Sequence, residues 1–112
     1  MTQQAESADT SRLADAYVDD LVAHQADSSF DWGAWLNDDV LEVVVMGERS
    51  LNGTDFAGVG FRLLLAYGGP TVTLTFRETS GDWAALDVHW GGERSSRQVQ
   101  IPALIELLEE LA

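Results

Sequence analysis

Between Val59 and Trp90 apolar residues recur at every second position in three runs separated by glycine turns. Val59, Phe61, Leu63, Leu65 and Tyr67 form the first run, Val72, Leu74 and Phe76 the second, and Leu86, Val88 and Trp90 the third. Side chains of a strand point alternately to its two faces, so a period of two buries one face and wets the other. The second run is the cleanest, because Thr71, Thr73, Thr75 and Arg77 fill the positions between its apolar residues. Gly68-Gly69-Pro70, Ser80-Gly81-Asp82 and Gly91-Gly92 read as the turns. The β-branched stretch Val40 to Met46 adds a strand ahead of these runs. It is followed by the loop 50–55, SLNGTD, whose Asn-Gly pair is a hairpin signal. Arg97 to Val99 predicts a short edge strand after them.

The pattern changes at both ends. From Asp9 to about Asp27 the apolar positions Leu13, Tyr17, Val18, Leu21 and Val22 draw one stripe along a helix. Asp9 or Ser11 is placed to cap its start, since a short side-chain oxygen accepts the free N–H groups of a first turn. At the other end Pro102 suits the first helical position. Ile101, Leu104, Ile105, Leu108 and Leu111 then form a buried stripe, with Glu106, Glu109 and Glu110 facing water. Between the first helix and the strands, Phe30, Trp32, Trp35 and Leu36 predict a short helical or irregular segment closing the core. Asn37-Asp38-Asp39 reads as a turn after it. The expected fold is α+β, a two-layer sandwich of four or five antiparallel strands with an N-terminal and a C-terminal helix. At 112 residues it is one domain, spanning 9–112 after a flexible leader at 1–8.

Charge is the most unusual feature of the composition. Nineteen acids stand against six arginines and no lysine, a net of −13. Residues 1–55 carry twelve of the acids and two arginines; residues 56–112 carry seven acids and four arginines. Such a field repels nucleic acid and anionic lipid and favours a basic partner. Solubility, or adaptation to a salty cytoplasm, is the plainer reading, and the absence of lysine fits it. General adaptation would nevertheless spread acids evenly, and here they crowd into one half. On the first helix Asp15 and Asp19 are a like-charged i,i+4 pair, which weakens an isolated helix. Only Arg12 is near in sequence to offset them. Asp15, Asp19, Asp20, Asp27, Asp31, Asp38 and Asp39 are therefore the candidate partner-binding residues.

No arrangement of residues reads as catalytic. Gly58-Val59-Gly60 lies inside a strand rather than between a strand and a helix, so it is no phosphate loop. His24 reads as a helix-surface residue and His89 as a sheet-surface one, and neither belongs to a spaced ligand set. A site made of His24 with Asp20 or Asp27 would be a chance pairing on a helix surface. Asp19-Asp20 and Asp38-Asp39 are paired carboxylates without a signal placing them in an apolar pocket. No stretch alternates oxygen ligands around a glycine as a calcium loop does. With no cysteine, thiolate metal sites and disulfides are excluded. The expectation is no enzyme, no metal and no cofactor. Arg62, Arg77, Arg94 and Arg97 are expected to share the polar side of the sheet and pair with acids across strands, rather than to hold nucleic acid directly. The amino-terminal stretch lacks an apolar signal-peptide core, and no run is long enough to span a membrane. The default compartment is the cytoplasm, that of the host cell for a phage-encoded chain.

From Leu63 onward, Ala66-Tyr67-Gly68-Gly69-Pro70-Thr71-Val72, the strand Leu86-Asp87-Val88-His89-Trp90 and the closing helix from Pro102 to Leu111 resemble small acidic proteins of phages and mobile elements. In those proteins a Gly-Gly-Pro turn leads into a strand, an aromatic-rich strand follows, and a Glu-Glu-Leu helix closes the chain. Here Thr71 stands where asparagine is expected, and Trp90 alone where two aromatics are. The resemblance implies an anti-defence factor of the anti-CRISPR or antirestriction type, which imitates DNA. It assigns no role to any single residue. Duplex DNA carries one negative charge per roughly 1.7 Å of axis, and a row of carboxylates can copy that. The expected function is an acidic protein-binding inhibitor occupying the basic, nucleic-acid-binding groove of a CRISPR effector or restriction complex. An immunity protein, antitoxin or chaperone for a basic partner is the alternative, alongside a housekeeping protein of a halophile. A homodimer is compatible with either.

Overall fold

A computed structural model of the chain describes residues 8–49, 56–77 and 81–111. The elements run α1 (Ala8–Ala26), α2 (Trp32–Asp38), β1 (Glu42–Arg49), β2 (Phe56–Ala66), β3 (Thr71–Arg77), β4 (Trp83–Trp90), β5 (Glu93–Gln100) and α3 (Pro102–Leu111). The five strands form one antiparallel sheet in the order β1-β2-β3-β4-β5, a simple meander. A helix stands at each end of the chain, and the fold is the expected α+β sandwich. The expected leader and the SLNGTD loop lie outside the described residues, apart from Ala8, which opens α1. Ser80 of the Ser80-Gly81-Asp82 turn lies outside them too.

Register explains which face is covered. Val43, Leu63, Leu74, Leu86 and Arg97 lie in one row across the sheet, on its helical face. Val72, Leu74 and Phe76 on β3 are buried with Ala84, Leu86 and Val88 on β4 and with Leu104 and Leu108 of α3. Threonines 71, 73 and 75 alternate with them on the opposite face, as the period of two requires. Gly60 allows β2 and β3 to close up: a Cβ there would run into the Phe76 carbonyl oxygen and lie 3.1 Å from the Arg77 Cα. The Gly58–Gly60 stretch is thus strand, as read, and its second glycine serves packing. Gly68, Gly81, Gly91 and Gly92 all adopt positive φ at the turns, which glycine does without steric cost.

Several expectations are corrected. The edge strand β5 covers Glu93–Gln100, well beyond the expected 97–99, so the strands number five. Helix α1 begins at Ala8, which puts Asp9 in its first turn and Ser11 within the helix rather than at a cap. Asn37 and Asp38 belong to α2, and Asp39 is its C-cap; the turn is shorter than expected. Arg97 lies on the helical face of the sheet, not the polar one. Tyr67, Trp90, Val22 and Leu111, expected in apolar stripes, are 76%, 47%, 50% and 68% exposed. Each sits at an element's end or flank, where the alternation outlasts the layer that would cover it. Trp32 and Trp35, in contrast, are buried and meet edge to face at 5.2 Å, closing the core as expected.

Candidate functional site

The seven candidate aspartates do not form one free row. Asp15 accepts a hydrogen bond from Arg97 Nε at 2.8 Å, and Arg97 Nη2 also donates to Ser11 Oγ at 2.8 Å. One guanidinium from β5 thereby clasps two consecutive turns of α1. The cation that offsets the acidic helix comes from the far end of the chain, not from Arg12, which pairs loosely with Asp9 at 3.7 Å. Nearby, Thr10 and Ser95 are both buried and their hydroxyls lie 2.7 Å apart. Polar side chains seat α1 on β5 where a longer apolar stripe would otherwise be needed.

Asp27 and Asp31 also have local structural work. Asp27 Oδ1 accepts from the Ser29 N–H at 2.9 Å and from the Ser29 hydroxyl at 2.6 Å, turning the chain after α1. Those bonds, the hydroxyl's above all, hold its carboxyl below the usual range. Asp31 is the N-cap of α2, accepting from the Ala34 N–H at 3.0 Å. Asp38 accepts from the neighbouring Asn37 side chain at 3.2 Å. Across the chain, Arg94 pairs with Asp87 at 3.5 Å between β4 and β5, the cross-strand pairing expected of the sheet arginines.

That leaves Asp19, Asp20, Asp38 and Asp39 with neither an ion pair nor a turn- or cap-forming side-chain hydrogen bond among the described residues. The fold brings two of them together. Asp20 on α1 and Asp39 at the end of α2 line one cleft of about 300 Å³, with Tyr17, Leu21, His24, Trp35 and Leu65 completing its wall. Asp19 and Asp38 adjoin them in the chain. Tyr17, Asp20 and His24 share a face of α1 by their i, i+3, i+7 spacing. The phenol of Tyr17 is raised above its ordinary value, first by burial and then by the charge of Asp20. His24 is not the plain surface residue expected: its ring stacks on Phe30 at 3.8 Å and meets Trp32 edge-on at 6.0 Å. His89 is exposed on the sheet, as expected.

An aromatic wall beside two carboxylates that have no ion pair among the described residues suits a guanidinium or ammonium group. The ring attracts the cation through its quadrupole, and the carboxylates supply charge-assisted hydrogen bonds. The i, i+3, i+7 spacing was readable; the approach of Asp39, nineteen positions away, depends on how α2 folds back on α1. Among the described residues no group of three histidines or acids could hold a metal ion. None of their helices is long and apolar enough to cross a membrane. No family model, curated protein or solved structure matches this chain.

Proposed function

We propose that the protein is an acidic, non-catalytic inhibitor that binds a basic protein surface in place of DNA, the target class being a nucleic-acid-binding groove of a restriction or CRISPR complex. The observation that carries this reading is the cleft where Asp20 and Asp39 converge beside Tyr17 and Trp35, unopposed by a cation among the described residues. Such a site takes an arginine or lysine that would otherwise grip a phosphate. Asp19 and Asp38 widen its negative field, and the −13 net charge steers the approach. Asp15, Asp27 and Asp31 do not line this cleft and hold the scaffold around it.

The test displaces a labelled DNA duplex from purified restriction and CRISPR effector complexes with increasing protein. Displacement is expected, weakening steeply as salt rises. Asp20→Lys with Asp39→Lys should lose it, whereas Asp82→Lys with Glu93→Lys, which changes the net charge equally, should lose far less. Equal losses from the two pairs would reduce the effect to net charge and remove the localised site. A protein that unfolds at about 0.15 M salt, and folds only near molar salt, would favour halophilic adaptation instead.

A further inference from the structure

The helical layer does not cover the whole sheet. Helix α1 packs on β4 and β5, while α2 and α3 pack on each other. On β1, Val43 and Val45 point to the helical face by their pairing with Leu63 and Phe61, yet they remain 44% and 45% exposed. Together with Leu36 of α2 and Leu107 and Leu111 of α3 they line an open groove of about 490 Å³ whose surface is mostly apolar. Leu107 and Leu111, one helical turn apart, form a ridge along one wall. On the other side of Leu107 and Gly33 a second hollow carries Asp31, Glu106 and Glu110. An apolar bed thus runs beside an acidic shelf, on a surface distinct from the Asp20–Asp39 cleft.

We infer that this groove docks a cationic amphipathic helix of a partner protein. A sheet's apolar face is stable only when another element covers it. The two walls are helices, so a third helix completes the layer over β1 and β2. Leucine-type side chains at i, i+3, i+4 and i+7 enter the bed between Val45 and Leu111, the helix-in-groove mode of recognition. Lysines or arginines on the adjoining face meet Asp31, Glu106 and Glu110. The charge of the shelf selects this occupant over a second copy of the chain, whose own net charge is −13. The inference rests on the proposed function only in taking the partner to be basic.

The probe is a synthetic leucine–lysine peptide of about five helical turns with leucines at helical spacing. Controls are a scrambled peptide of equal composition and a version with every lysine replaced by glutamate. Binding is followed by methyl NMR of the full protein at about 0.5 M salt, where long-range attraction is screened. The helical peptide is expected to shift the methyls of Leu36, Val43, Val45, Leu107 and Leu111 and to bind about tenfold tighter than the scrambled one. The glutamate version should not bind. Val45→Thr with Leu111→Ser, both on exposed side chains, should weaken binding about tenfold through lost apolar burial. Glu106→Lys with Glu110→Lys should weaken it further at lower salt. Asp20→Lys with Asp39→Lys should leave peptide affinity within about twofold, so that a failure here and a failure of the proposed function read separately.

Equal binding of helical and scrambled peptides would overturn the inference, as would shifts confined to the Asp20–Asp39 cleft. So would a concentration-dependent dimer that shields the groove methyls, which would make the occupant a second copy. Peptide-induced amide protection along β1 without methyl shifts would mean strand addition at the sheet edge, and would overturn it too.

Discussion

Thr10 on α1 and Ser95 on β5 lie 85 positions apart, and their hydroxyls meet at 2.7 Å in a site that is 1% and 2% exposed. Replacing Thr10 with valine keeps the shape and removes the hydroxyl, so Ser95 loses this partner inside the protein. A buried polar group deprived of its partner costs about 1–3 kcal/mol, because it gave up water on folding and regains nothing. Ser95→Ala removes the same contact from the other side and should also destabilise the fold. The double variant replaces both hydroxyls with apolar groups and leaves no polar mismatch at this contact. Its loss should fall well short of the sum, with a coupling of about 1–2 kcal/mol. Against a total stability of about 5–15 kcal/mol for a domain this size, each single change is easily measured. Urea melts at constant slope would give the four free energies. Ser96→Ala is a comparison at an exposed position, where the hydroxyl bonds the half-buried Asp87 of the neighbouring strand; its loss should not couple to that of Thr10→Val. If the Thr10 and Ser95 losses add to within about 0.3–0.5 kcal/mol, the two hydroxyls are uncoupled and α1 is not seated by them.

Two further outcomes test the packing and the charge. Gly60→Ala should destabilise by several times the roughly 0.5–1 kcal/mol that an unstrained Gly–Ala exchange involves, because its Cβ meets backbone rather than a movable side chain; a melt unchanged from the parent protein would show that β2 and β3 do not approach so closely. Ser29→Ala should raise the Asp27 carboxyl toward its ordinary range in an NMR titration, since the hydroxyl's hydrogen bond is the first cause of its depression. Because the folded value is depressed, the stabilisation from Asp27 is present above the ordinary carboxylate value and is lost as pH falls through the folded one, and the variant should show less of that acid loss.

The strands that obey a strict period were legible because one face of each is dry. β3 shows this best, with Val72, Leu74 and Phe76 against three threonines. Helix α3 was equally plain, from Pro102 at its first position to the leucines beneath it. β5 was not, because two of its inward positions are Ser95 and Arg97. Their polarity makes sense only beside Thr10, Ser11 and Asp15, which a reading of local pattern cannot bring to them. The same blindness hid the role of Asp15: a like-charged neighbour four residues on suggested a binding surface, and its counter-ion lay 82 positions away. For the cleft, the Tyr17–Asp20–His24 face was readable from helical spacing alone. Its union with Asp39 depended on Asp27 and Asp31, whose turn and cap aim α2 back across α1.

The meander has a consequence for the order of assembly. Every strand pairs with its neighbour in the chain, so the sheet forms by successive short hairpins at little loop-closure cost. Helix α1 is the exception, because its seats are on β4 and β5, at the opposite end of the chain. During synthesis it leaves the ribosome well before the strands on which it docks. Until then its few apolar residues stand exposed on a segment carrying Asp9, Asp15, Asp19 and Asp20, and mutual repulsion keeps such segments apart. The acids of α1 thus guard the nascent chain against premature association.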